Sequence, residues 1–155
     1  MSTHFVTFET TRGPITAELF SRDCPATVEH FERLVHDGFY VGTRVHRVEP
    51  GVLVHAGDPL TRQLEIEDPR VGSGSSEQVA PSEVIGNRNR PGAGAVVMVP
   101  NGDGTSGSRF ALVLDDARAP SLRSTHTVFA RVTDGMQVAL SLKPGDAILA
   151  GRIWA

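Results

Sequence analysis

The sequence predicts a mainly β protein: a closed, eight-stranded antiparallel β-barrel capped by two α-helices, with a two-sheet sandwich as the alternative that pattern alone leaves open. Three observations carry this expectation. Short apolar runs alternate with polar residues in steps of two, as half-buried strands do. Sixteen Gly and ten Pro in 155 residues interrupt those runs too often for a helical bundle, without the repetitiveness of a disordered tract. Only two stretches place apolar residues at helical spacing.

Each element has its own signal. Val6 and Phe8 face one way and Thr7 and Glu9 the other; Thr11-Arg12-Gly13-Pro14 turns the chain, and Ile15, Ala17 and Leu19 alternate with Thr16 and Glu18, which makes a hairpin with one buried face. Asp23 or Cys24 can then cap a helix over residues 25–37, with Pro25 in its first turn, Val28, Phe31, Leu34 and Val35 along one face, and Gly38 as its stop. Residues 44–48 and 52–56 read as short strands about the turn Glu49-Pro50-Gly51. From 58 to 94 Gly, Ser, Pro and charge dominate, which predicts a long surface excursion, because strands resume at 95–99, 109–114 and 127–132. Asp134 caps a short second helix through Met136 and Leu140, and residues 148–154 supply the strand that closes the sheet.

One domain spanning residues 1–155 is expected, large enough to fold without metal or disulfide staples. Its 15 Lys plus Arg against 18 Asp plus Glu give a net charge of −3, which disfavours phosphate backbones and anionic membranes, so neither nucleic acid nor membrane is an expected partner. A single cysteine excludes an intramolecular disulfide, the N-terminus lacks the pattern of a secretory signal, and no run of 18 apolar residues occurs. A cytoplasmic monomer is the resulting expectation. Six histidines raise the question of metal, but His30 and His36 lie six apart on different helix faces and no His-x-x-x-His or Cys-x-x-Cys occurs, so no metal site is expected. The glycines of residues 101–107 lack the Lys of a phosphate loop and read as a turn between strands. Cys24, with no base or resolving thiol in its motif, reads as a structural residue.

The most specific run is His46-Arg47-Val48-Glu49-Pro50-Gly51-Val52-Leu53-Val54-His55-Ala56-Gly57-Asp58. It resembles the hallmark of the cyclophilin family of peptidyl-prolyl cis/trans isomerases, which there reads Phe-His-Arg-Val-Ile-Pro-Gly-Phe-Met-x-Gln-Gly-Gly-Asp. Glu18-Leu19-Phe20, Pro25 to Phe31 and Gly38-Phe39-Tyr40 upstream, and Gly94 to Met98, Gly107-Ser108-Arg109-Phe110, Leu122 and His126-Thr127-Val128-Phe129 downstream, match in order and spacing; only residues 60–85 match poorly. The resemblance implies an eight-stranded barrel with two capping helices, no cofactor, and proline-containing peptides or unfolded proteins as partners. It makes Arg47 the catalytic residue and Val52, Leu53, His55, Val99, Pro100, Arg109, Ala111, Ser121, Leu122 and His126 the substrate-binding residues.

Several of those positions depart from the family pattern. Val52 and Ala111 stand where Phe is usual, Leu53 replaces Met, and His55 and Arg109 replace Gln. Ser121 replaces a Trp tied to cyclosporin binding, and Val99 replaces a smaller Ala. Pro100 stands where a backbone N–H is understood to meet the substrate, and proline has none. Two expectations follow: an isomerase acting on Xaa-Pro bonds, or a catalytically weak cyclophilin-fold module that binds proline-containing segments. If His55 and His126 share the cleft of Arg47, peptide binding should weaken as pH falls through about 6.5, by cation repulsion.

Overall fold

The computed structural model describes residues 3–155. Eight antiparallel strands form one curled sheet: β1 (His4–Thr10), β2 (Gly13–Leu19), β3 (Arg47–Glu49), β4 (Leu53–Ala56), β5 (Ala95–Pro100), β6 (Ser106–Val113), β7 (Val128–Asp134) and β8 (Ile148–Trp154). The two expected helices are α1 (Pro25–His36) and α3 (Met136–Ser141), and a single helical turn, α2 (Ala119–Leu122), lies between β6 and β7. None of the described helices is long and apolar enough to cross a membrane.

Strand order is β3-β4-β6-β5-β7-β2-β1-β8, so β3 and β8 are edges and the expected closed barrel is corrected to an open, curled sheet. β3 has only three residues, and no ladder joins it to β8. The edges meet at one isolated bridge, Arg44 with Ala147, supported by backbone bonds Val45 N–H to Asp146 O (2.7 Å) and Ile148 N–H to Thr43 O (2.9 Å).

Strand alternation sorts the side chains onto two faces. The concave face packs Val6, Phe8, Ile15, Ala17, Val54, Val96, Phe110, Leu112 and Ala130 against the buried stripe of α1, Val28, Phe31, Leu34 and Val35. The rings of Phe8, Phe31, Tyr40 and Phe110 pack with centroids 5.5–6.3 Å apart, edge-on, tilted or stacked, as aromatic quadrupoles favour. Tyr40 is buried and its hydroxyl donates to Ser108 O at 2.9 Å, so its polar end is satisfied. The convex face carries a second cluster: Leu53, Ala95, Val97, Ala111, Val113, Leu122 and Val128.

Both helix starts differ from the sequence expectation. Cys24 occupies the position before α1 but makes no capping bond, and Asp23 pairs instead with Arg88 (3.0 Å). The cap comes from Glu83, whose carboxylate accepts from Thr27 N–H (2.6 Å), the Thr27 hydroxyl (2.6 Å) and Ala26 N–H (3.3 Å). α3 begins after Gly135 in the left-handed region (φ 95°), and Asp134 belongs to β7.

The excursion of residues 58–94 is anchored at both ends. At its start the buried Asp58 carboxylate accepts from the N–H groups of Leu60 (2.8 Å), Gly72 (2.5 Å) and Gly74 (3.2 Å). Further on Ala80 bridges to Ser106, Glu83 caps α1, and the Asn87 side-chain amide donates to Val128 O at 2.9 Å. Gly107 permits the close approach of this segment to β6, since a Cβ there would lie 1.8 Å from Ser75 Oγ.

Candidate active site

Strand register, rather than proximity in sequence, assembles the site. Arg47 on β3 pairs with His55 on β4, His55 with Ala111 on β6, Ala111 with Val97 on β5, and Val97 with Val128 on β7. Directly paired residues project from the same face, so these five form one row across the convex surface. A parallel row holds Glu49, Leu53 and Val113. Residues two positions along share the face, which sets Val99 beside Val97 and Arg109 beside Ala111.

Arg47, His55, Val99 and Arg109 line a cavity of about 430 Å³ with His46, Val71, Gly72 and Ser73. The Arg47 side chain is 65% exposed and sits 3.8 Å from Glu49, a long and weak pairing that leaves its donors available. Arg109 is more constrained: Nη1 donates to Gly72 O (2.5 Å) and Nη2 to Asn101 Oδ1 (3.0 Å), which ties the excursion to the β5–β6 turn across the mouth of the cavity. Its Nε is buried without a partner among the described residues.

Beside the cavity lies the apolar wall. Leu53 and Ala111 are 3% and 1% exposed and Leu122 is 9% exposed, while Val52 and Val99 pack on the cluster and keep exposed surface. Ala111, where the family usually carries a ring, is buried within this cluster. Pro100 lies past a β-bulge at the end of β5, paired with Ser106, and does not line the cavity. Ser121 is exposed on α2.

His126 lies close enough to His55 for its charge to act on that imidazole. It is half-buried, with its N–H on Leu122 O (2.9 Å) and Nδ1 2.7 Å from Thr125 Oγ1, and it lines a cleft that neighbours the cavity of Arg47. Burial pushes the His55 imidazole down to about 4, reinforced by the nearby His46 and Arg47; His46 and His126 are also lowered, mainly by burial. His55 is therefore neutral throughout the physiological range, and the repulsion expected of it near pH 6.5 moves down towards pH 4; burial moves the His126 titration down as well. Cys24 is fully buried and its thiol is pushed up to about 12, which agrees with a structural role.

Sequence reasoning did not find the wall formed by Val71, Gly72 and Ser73, nor Asn101 as a partner of Arg109. Those residues carry no periodic or motif signal; the glycines at 72 and 74 around an Asp anchor are the only local hint.

A family model described as cyclophilin type peptidyl-prolyl cis-trans isomerase/CLD matches residues 5–149. A peptidyl-prolyl cis-trans isomerase of Helicobacter pylori strain J99 is 35% identical over 148 residues, covering 94% of this chain and 85% of the relative. Peptidyl-prolyl cis-trans isomerase B of Bacillus subtilis is 34% identical over 139 residues, 90% of each chain. The crystal structure of a cyclophilin type peptidyl-prolyl cis-trans isomerase of Cryptosporidium parvum has the same fold, with a TM-score of 0.84 at 22% identity over 99% of both chains. A crystal structure under that same protein name, in the presence of the dipeptide Ala-Pro, superposes with a TM-score of 0.82 over 97% of this chain and 99% of the other.

Proposed function

Because the chain belongs to the cyclophilin-type peptidyl-prolyl cis-trans isomerase family, a family of isomerases, we propose that it rotates Xaa-Pro bonds in peptides and unfolded proteins with Arg47 as its catalytic residue. The observation that carries the proposal is the cross-strand row in which the exposed guanidinium of Arg47 stands at a cavity flanked by the apolar wall of Val52, Leu53, Ala111 and Leu122.

Amide resonance opposes rotation with a barrier of about 18–20 kcal/mol, and no bond need break for rotation to occur. As the amide twists, the prolyl nitrogen loses conjugation and becomes a better hydrogen-bond acceptor. A guanidinium held beside it therefore binds the twisted form more tightly than either planar form. Arg47 suits this task, because its charge does not titrate and few competing acceptors hold it. His55, neutral and cross-strand to Arg47, adds no opposing charge near neutral pH. Arg109 is a positioning residue: its two hydrogen bonds fix residues 72 and 101 around the cavity. The Ala-Pro dipeptide used with the Cryptosporidium parvum structure supports proline-containing substrates for this chain as well.

A charge-assisted hydrogen bond contributes about 1.5–3 kcal/mol, or roughly 10- to 150-fold in rate, so Arg47 supplies part of the acceleration and grip on the flanking peptide supplies the rest. A second reading, a binding module with slow turnover, is favoured by the buried Ala111 and by Pro100, which has no N–H to give a peptide. Timing the cis/trans equilibration of short Xaa-Pro peptides with the native protein and Arg47→Ala separates the two. The isomerase reading expects acceleration by the native protein and a 10- to 150-fold loss in the variant. No acceleration over buffer across a varied Xaa panel would leave the binding module; equal acceleration by both proteins would remove Arg47 from the mechanism.

A further inference from the structure

His126 opens onto a cleft of about 480 Å³, and this adjoins another of about 590 Å³ through the shared walls Arg90 and Arg123. Four exposed arginines, Arg88, Arg90, Arg123 and Arg131, line the pair, against one carboxylate, Asp116, among the described lining residues. Arg88 is partly neutralised by Asp23 at 3.0 Å, Arg131 donates to Ala93 O at 3.1 Å, and Asp116 accepts from Ala93 N–H at 2.8 Å. Arg90 and Arg123 have no ion-pair partner among the described residues. This cationic strip lies on a chain whose net charge is −3, so positive charge is concentrated here against the overall balance. The walls are fixed: Asn87 is bonded to Val128 O at 2.9 Å and Asn89 to Asp23 at 2.9 Å.

The lining chemistry selects the occupant. Among the described residues no Phe, Tyr or Trp lines either cleft, which leaves only the half-buried His126 ring for a base to stack on, and the net charge of −3 repels a long phosphate backbone. The cleft shares Val128 with the row that runs from Arg47 through His55, Ala111 and Val97, four strand steps of about 4.8 Å, and an extended peptide advances about 3.3–3.6 Å per residue, so a chain crossing that row spans from Arg47 to the cleft in about six residues. We propose that this arginine-lined cleft is an auxiliary docking site for an acidic stretch of the client polypeptide, about six residues from the Xaa-Pro bond. The proposal rests on the isomerase reading for the identity of the client, not for the existence of the site.

The test uses fluorescent peptides with one uncharged Ala-Pro core, extended on either side, about six residues from the Ala-Pro bond, by four Glu or four Gln, with the native protein and the double variant Arg90→Glu/Arg123→Glu. At low ionic strength the Glu extension on one side should tighten binding by about tenfold over Gln, equivalent to about 1.4 kcal/mol. The gain should vanish in the double variant and at about 0.5 M salt, where screening is strong. Isomerisation of the unextended core should stay within twofold of native, since neither arginine lies at the Arg47 cavity; that same measurement verifies the fold of the variant. Equal binding of Glu and Gln peptides on both sides would overturn the proposal, as would a single-stranded oligonucleotide of equal charge binding as tightly as the Glu peptide. If the core peptide is not isomerised while the charge-dependent binding persists, the isomerase reading fails and the docking site stands.

Discussion

Removing the Glu83 carboxylate tests how the excursion of residues 58–94 supports the rest of the protein. In the native structure this side chain replaces the missing cap of α1, accepting two hydrogen bonds of 2.6 Å from Thr27 and a longer one of 3.3 Å from Ala26. Thr27 is 1% exposed, so water does not readily replace the lost partner, and Glu83→Ala leaves a buried N–H and hydroxyl unpaired. A hydrogen bond to a charged group contributes about 1.5–3 kcal/mol, and the loss of a helix cap typically costs about 0.5–2 kcal/mol. These describe the same contacts and do not add, so we expect a loss of about 3 kcal/mol. For a chain of this size that corresponds to a fall in Tm of roughly 6–12 °C. Urea unfolding followed by circular dichroism should show a lower midpoint with the slope m unchanged. The arginine cleft keeps its own ties at Asn87 and Asn89, so binding of the Glu-extended peptide by the folded variant should change little. A loss below about 0.5 kcal/mol would refute the reasoning, since that is the range of ordinary surface substitutions.

Other outcomes follow from the same contacts. Asp58→Ala should destabilise by at least about 3 kcal/mol in urea titration, since it leaves the N–H groups of Leu60, Gly72 and Gly74 without their acceptor. The folded-state value of His55, about 4 against 6.5 unfolded, makes the unfolded chain bind a proton that the native state refuses; stability should therefore fall as pH drops from about 6.5 to about 4, and His55→Gln should flatten that slope in pH-dependent melting. For the same reason His55 should add no pH dependence to peptide affinity between pH 5.5 and 8, and an isothermal titration showing a step near 6.5 that disappears in His55→Gln would contradict its burial. Arg109→Gln shortens the reach to Gly72 and Asn101 and should raise KM more than it lowers kcat, as read from full peptide saturation curves; an unchanged KM would show that the tie does not position substrate.

Much of the fold was legible because its signals are local. Alternation found the hairpin of β1 and β2 and the strand carrying Leu53 and His55, and the spacing of Val28, Phe31, Leu34 and Val35 found α1, since each pattern records which side of a single element meets the core. The run from His46 to Asp58 singled out Arg47 for the proposed role, alternation put His55 on the face of Leu53, and the β3–β4 register adds Arg47 to that face. Tertiary structure alone decided what depends on surfaces drawn from distant positions. Glu83, 56 residues from Thr27, caps α1; residues 71–73 complete the cavity; and the short β3 leaves the sheet open where the pattern had suggested closure. The protonation of His55 and the burial of Ala111 belong to this second group, because desolvation is a property of everything packed around a group, and no stretch of sequence contains its own surroundings.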